Sequence, residues 1–374
     1  MKRRDLLKLA VFLGGTAALA REATLSSAAA ALGTGANESL TALREVAASR
    51  GLIFGAAIPK KNLFADPLFS RLVARQCGIL VPELELKWEA LRPAPDQFDF
   101  SGSDWLYEYA HTNHMLFRGH TLVWEAALPA WFARTVNAQN AKSILVDHIT
   151  TVVRRYAGKM HSWDVVNEAM GFEDGWPDGL KATPWLKFMG PEYIELAFHA
   201  AHAADHTVPL FYNENWLEPE IDSSEKKRRA VLALLTQLKK KGVPISGLGI
   251  QSHIYAEANV TGPKFGRFLQ EVSDLGLTII ISELDVRDKN LPANAEVRDR
   301  AIAKQYYEYL SFVLKCKAVK AVLTWGLSDR YTWIARSQPR PDGVPVRPLP
   351  YDANLDPTPA RWAVQRALEQ AVAR

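Results

Sequence analysis

Cysteine is nearly absent, with only Cys77 and Cys316 in 374 residues. Such a pair could form a disulfide in an exported protein. Each, however, sits in a segment that reads as helix, far apart in the chain, and a core of this size needs no covalent staple. Two free, buried thiols are therefore expected. The sequence also lacks a Pro-, Ser- or Gly-rich linker, a tract biased enough to be disordered, a Gly-rich phosphate loop and a Ser-His-Asp arrangement of recognisable spacing. These absences argue against several domains on a tether, a phosphate-binding nucleotide site and a serine hydrolase.

Long hydrophobic runs are missing as well. The N-terminal "MKRRDLLKLAVFLGGTAALA" has a basic start, a short apolar stretch and an Ala18-Leu19-Ala20 ending, with a second small-residue option at Ala28–Ala30. The stretch is shorter than the ~20 residues that span a bilayer, so it reads as an export signal. Arg3-Arg4 followed by Leu6, Leu7 and Lys8 resembles a twin-arginine signal, the alternative being a Sec signal that carries two arginines. With no cysteine in or just after it, no lipid anchor is expected. The first 20 residues carry four basic groups against Asp5, so removing them lowers the net charge from +4 to +1. The pI of 8.9 then argues little for nucleic acid. Residues 1–20 are thus read as signal, 21–38 as connector and 39–374 as the folded part.

Eight short apolar runs recur through the folded part: 52–58, 78–84, 115–124, 161–168, 208–214, 245–254, 278–286 and 321–329. Helix-like segments separate them. Val231, Leu234, Leu235 and Leu238 follow the i, i+3, i+4, i+7 spacing, with Asp222 and Glu225 as a capping pair and Gly242 as the stop. Ile194, Ala197, Phe198 and Ala201 repeat that spacing. Strands alternating with helices imply a parallel sheet. Eight units over this length imply a single-domain α/β fold, a (β/α)8 TIM barrel, with functional groups at the C-terminal strand ends.

Polar and aromatic residues gather at those ends. Run 2 leads to Glu83 and Lys87, run 3 ends at His120 and Trp124, and run 4 at Asn167-Glu168. Run 6 carries Gln251 and His253, run 7 Glu283 and Asp285, and run 8 Trp325 and Asp329. Two unpaired buried carboxylates would each cost several kcal/mol without a purpose. Two glutamates on nearly opposite strands, walled by aromatics and amides, suit hydrolysis of a glycosidic bond, which needs one carboxyl as proton donor and another as nucleophile or base. Taken singly, Trp124, Trp325 and Trp333 could be core aromatics, and His120 and His253 satisfied core histidines.

The segments "ELELKWE", "GHTLVW", "WDVVNEA", "GIQSHI", "SELDV" and "TWGLSDRYTW" occur in that order. In them the chain resembles the glycoside hydrolase family 10 endo-β-1,4-xylanases over nearly its whole folded part. The resemblance implies a retaining mechanism with Glu168 as acid/base and Glu283 as nucleophile, their carboxyls ~5–5.5 Å apart. Glu168 would be protonated and Glu283 ionised, so their surroundings must push the two pKa values apart. It further implies that Asn167 binds the sugar 2-hydroxyl, and that His253 bonds Glu283 with Asp285 behind it. Glu83, Lys87, His120, Trp124, Gln251, Trp325 and Trp333 would line the glycone subsites.

The departures cluster. Leu84 stands where the family has Asn. Glu125-Ala126-Ala127 stands for His-Ser-Gln, and Asn213-Glu214-Asn215-Trp216 for Asn-Asp-Tyr-Asn. The missing Asn and Gln normally bond the sugar one unit beyond the cleavage subsite on the glycone side, so weaker cleavage of plain xylan is expected. Two other readings are another retaining β-glycosidase or transglycosylase, and a non-catalytic carbohydrate-binding protein. His199, His202 and His206 could share a helix face, but they lie on the outer layer without carboxylate or Cys support, so no metal is expected there. The expected partner is a β-linked, xylan-derived polysaccharide or oligosaccharide, bound by a monomer without cofactor, nucleic acid or membrane anchor.

Overall fold

Each apolar run overlaps a strand, most of them shorter than the run, although the strand of the seventh run extends to Arg287 and that of the eighth begins at Val319. In the computed structural model, which describes residues 40–172 and 179–374, these are β1 (Ile53–Ile58), β2 (Ile79–Pro82), β3 (Leu116–Val123), β4 (Ser162–Asn167) and β5 (Leu210–Glu214). They continue with β6 (Gly247–Ile250), β7 (His253–Tyr255), β8 (Thr278–Arg287) and β9 (Val319–Trp325). The sixth run is divided because Ser252 takes a left-handed conformation, φ 66°. All pairings are parallel. They run from β6 through β1 to β9 and β8, and pairing of β6 with β8 closes the barrel. The signal (1–20), the connector (21–38) and residue 39 lie outside the described residues.

Among the described residues, eight helices of ten or more residues follow these strands, one after each except β6: α1 (Pro67–Gln76), α2 (Ser101–Thr112), α3 (Ala141–Arg155), α4 (Glu192–Ala204), α5 (Asp222–Lys240), α6 (Pro263–Asp274), α7 (Ala295–Val313) and α8 (Pro359–Glu369). On α4 the expected Ile194, Ala197, Phe198 and Ala201 are buried, and on α5 Val231, Leu235 and Leu238. Gly242, at φ 70°, follows the end of α5. The capping pair is a correction: α5 begins at Asp222 itself, with Ile221 as N-cap and no side-chain cap. An acidic residue in the first turn still faces the positive helix end.

The cysteines also need correcting. Both lie just beyond helix ends and both are free, but only Cys77 is fully buried while Cys316 is partly exposed. Burial pushes the Cys77 thiol up to about 12, which keeps it unreactive at neutral pH.

Inside the barrel an apolar layer of Ala57, Ile79, Val81, Phe211, Ile280, Ala321 and Leu323 fills the axis. Arg118 rises through it, with its guanidinium 4.7 Å from the Phe211 ring centre. It donates to Ser162 and Asp164, and the other Asp164 oxygen meets His120 Nδ1 at 3.1 Å. Burial lowers the Arg118 pKa and Asp164 pulls it back up. Removing one member of a fully buried ion pair strands the other charge. Arg118→Met is therefore expected to cost about 3–5 kcal/mol of unfolding free energy. A loss below about 1 kcal/mol in urea denaturation would show that Asp164 finds another way to be satisfied.

Candidate active site

The chain turns sharply where β4 ends. Glu168 has φ 53°, a left-handed value that costs a non-glycine residue about 1 kcal/mol or more. Three bonds to β5 hold the turn: Glu168 N–H to the Asn213 carbonyl at 2.9 Å, Ala169 N–H to the Tyr212 hydroxyl at 3.1 Å, and Met170 N–H to Glu214 Oε2 at 3.1 Å. The strain aims the Glu168 carboxyl into the mouth. There Oε1 accepts from Gln251 Nε2 at 2.8 Å and Oε2 from the Trp124 indole at 3.2 Å.

Glu283, on β8, is held from two sides. Asn213 Nδ2 donates to its Oε1 at 2.7 Å, and His253 Nε2 lies 3.3 Å from its Oε2. His253 Nδ1 meets Asp285 Oδ2 at 2.9 Å, and the Trp333 indole donates to that same oxygen at 2.8 Å. Burial opposes a charge on His253, but Asp285 and Glu283 outweigh it and lift its pKa to about 10. At neutral pH the ring is an imidazolium donating to both carboxylates.

Asn213, noted in the sequence only as the first residue of the departing stretch 213–216, is the hub. It also donates to Asn167 Oδ1 at 2.9 Å and accepts from Ser282 Oγ at 2.7 Å. Gln251 Nε2 approaches the same Asn167 oxygen at 3.3 Å, so the Asn167 NH2 is the group left to serve a ligand. Gly249 permits this crowding: a Cβ there would sit 2.0 Å from Asn213 Oδ1. The only sequence signal was an amide at the end of a β run, one residue before a buried Glu.

The other predicted residues form a floor and a side wall. Lys87 Nζ stands 4.9 Å from the Trp124 ring centre and 5.6 Å from that of Trp325. Trp325 meets His120 edge-on at 5.2 Å, and Trp333 lies 5.1 Å from His253. His120 is within β3 rather than at its end, because its ring is needed at the level of Asp164. Burial raises Glu83 to about 7 against the pull of Lys87, so this carboxyl is partly protonated near neutrality.

Glu168 differs from the expected raised acid. Burial raises its pKa, but Gln251, Lys181 and Trp124 together bring it below the ordinary value. Lys181 was not foreseen. Its ammonium pairs with Glu125 and lies 3.7 Å from Glu168 Oε2. Glu214, fully buried, pairs with Lys227 at 2.8 Å and accepts from Tyr212.

Of the departures, Ala127 is buried, Leu84 is half-buried, and Trp216 is 38% exposed and edge-on to Tyr255 at 6.3 Å. His199, His202 and His206 are exposed, and His206 falls beyond the end of α4, so the three do not share one helix face. Among the described residues no group of three or more His, Cys, Asp or Glu side chains could hold a metal. No helix among them is long and apolar enough to cross a membrane.

This arrangement has counterparts. The model of glycosyl hydrolase family 10 matches residues 42–367. A β-1,4-xylanase of Dictyoglomus thermophilum is 35% identical over 83% of this chain and 86% of its own length. Endo-1,4-β-xylanase 5 of Pyricularia oryzae is 31% identical over 91% of this chain and 82% of its own. Xylanase 10B of Thermotoga petrophila RKU-1, solved in complex with xylobiose, superposes with a TM-score of 0.80 at 32% identity. It covers 89% of this chain and 98% of its own. A barrel with two glutamates at its mouth, matched over nearly all of its described length by one family model, places this chain in glycosyl hydrolase family 10.

Proposed function

We propose that the protein is a retaining endo-β-1,4-xylanase working by double displacement. Glu168 gives its proton to the glycosidic oxygen as Glu283 attacks the anomeric carbon, and the aglycone leaves. Glu168, now a carboxylate, takes a proton from the water that displaces Glu283. The observation that carries the reading is the unequal treatment of the two carboxyls. Glu283 is held by Asn213 and a charged His253. Glu168 projects from a strained turn with its side chain 16% exposed. A sugar in the cleft adds burial on that open side, which favours the protonated form the first step needs. Asn167 would offer its NH2 to the sugar 2-hydroxyl. Glu83, Lys87, His120, Trp124, Gln251, Trp325 and Trp333 would face the glycone. The xylobiose bound by the Thermotoga petrophila relative supports xylose units as the substrate.

The test is turnover across xylan, arabinoxylan, glucuronoxylan and cellulosic oligomers, with Glu283→Ala as the blank. Preference for a cellulosic oligomer over every xylan would overturn the substrate assignment. Leu84 and Ala127 favour a second refinement, a glycone subsite short of two polar readers beyond the cleavage point. Each regained hydrogen bond is worth about 1 kcal/mol. Leu84→Asn with Ala127→Gln is accordingly expected to raise kcat/KM on linear xylo-oligosaccharides about tenfold or more. No gain in a variant that folds normally sinks the altered-subsite idea.

A further inference from the structure

We propose that Lys181 and Glu125 form a charge-compensating pair that positions and tunes Glu168, with the Lys181 ammonium leaning on Glu125 while Glu168 holds its proton and on Glu168 once the proton has gone. The proposal rests on the glycosidase reading of Glu168 and adds two positioning residues to it.

The geometry is specific. Lys181 follows Leu180, and its backbone N–H is tied to the Ala169 carbonyl at 2.7 Å, one residue after Glu168. The acid/base turn and the root of the lysine therefore move as one body. Its ammonium sits between two carboxylates, paired with Glu125 and 3.7 Å from Glu168 Oε2. Glu125 comes from the single helical turn Glu125–Ala127 that follows β3 and Trp124. The three side chains are partly open, Lys181 at 32%, Glu125 at 17% and Glu168 at 16%, so a small shift of one ammonium serves either carboxylate.

The other charged and titratable groups around this corner have fixed partners. Glu214 and Tyr212 of β5 bond each other, and Lys227 of α5 is held by Glu214 at 2.8 Å and by Asn215 Oδ1 at 2.7 Å. Tyr193 of α4 is buried, and burial, with Glu125 adding to it, keeps its hydroxyl protonated. Across the mouth, Glu283 and His253 are linked to Glu168 by hydrogen bonds that pass through Asn213, Asn167 and Gln251. Apart from His253, which bridges Glu283 and Asp285 across the mouth, Lys181 is the cation shared by two carboxylates among these groups.

Two consequences follow from electrostatics. Glu168 leaves its first step as an anion, having passed its proton to the departing oxygen, while Lys181 keeps all three of its protons. The cation nearby stabilises that anion, and Glu125 prevents it from doing so too strongly beforehand. Burial opposes charge on Lys181, yet Glu125 and Glu168 raise its pKa, so it stays an ammonium through the cycle. Glu168 is pushed up by burial and brought below the ordinary value by Gln251 and then Lys181, in keeping with the geometry.

The test is the basic limb of kcat/KM against pH, which reports the free enzyme's essential acid. It is read on the full-length protein with xylotetraose and with phenyl β-cellobioside, whose poor leaving group still needs the proton. Opposite charges at this distance shift a carboxyl by about 1–3 units, less when partly solvated. Lys181→Met is expected to move the limb up by about 0.5–1 pH unit and Glu125→Gln to move it down by a similar amount, while Lys181→Arg restores the wild-type limb. A structural salt bridge would cost stability in both variants and move neither limb. An unmoved limb, or a shift of both variants in the same direction, overturns the proposal. Should Lys181→Met fail to fold, Glu125→Gln decides alone: a downward shift supports the pair and an unmoved limb removes it. Turnover of the cellobioside without turnover of xylotetraose would sink the xylanase reading and leave this test readable.

Discussion

Glu283→Ala is expected to lower kcat/KM on xylo-oligosaccharides by about 10⁵-fold while the protein stays folded. The size follows from the role. Without the carboxylate no covalent glycosyl intermediate forms, and no neighbouring group replaces it. Asn213 still has Asn167 Oδ1 and Ser282 to bond, and His253 still has Asp285. The thermal midpoint should therefore fall far less than the rate. Added azide fits the space left by the side chain and can attack the anomeric carbon itself. Glu168 still protonates the leaving oxygen, so the expected product is a glycosyl azide of inverted configuration, identifiable by NMR of the anomeric proton. Activity within about 100-fold of wild type would remove Glu283 from the reaction. A β-configured azide would contradict its placement opposite the leaving group.

Replacing Glu168 by Ala is expected to split substrates by leaving group. General acid catalysis contributes about 10²–10⁴-fold, so loss on xylo-oligosaccharides should lie in that range. A dinitrophenyl β-glycoside needs no proton to depart and should form the intermediate at close to the normal rate. Its second step then lacks a base, so product appears as a burst followed by slow turnover. Equal losses on both substrates, with no burst, would mean that Glu168 shapes the site rather than carrying a proton. The variant also removes one of Lys181's two carboxylates, leaving it with Glu125, so the loop should remain in place.

Much of the fold was legible because its signals are local. Apolar runs separated by i, i+3, i+4 stripes need only neighbouring residues to declare themselves, and the stripe on α4 is buried as that spacing requires. The cap at Asp222 was misread because a one-residue shift in where a helix starts leaves the periodicity unchanged. Likewise the break at Ser252 lies inside one apolar run, and only a backbone angle distinguishes two strands from one.

The site divides in the same way. Asn167-Glu168 and Glu283 could be found in the sequence because a polar group closing an apolar strand is costly unless used. Lys181 and Glu125 carried no such mark, and the mark on Asn213 did not tie it to Glu283. Asn213 lies 70 positions from Glu283 in the chain and 2.7 Å from it in space. The ammonium of Lys181 reaches Glu125 and Glu168 only because the loops after β3 and β4 meet at the barrel rim. The sequence by itself determined the barrel and the two glutamates. Which cation each of those glutamates sits beside, Lys181 or His253, and why His253 is charged, was decided only by closure of the barrel. Electrostatic coupling depends on distance and burial, and neither exists until distant strands are brought together.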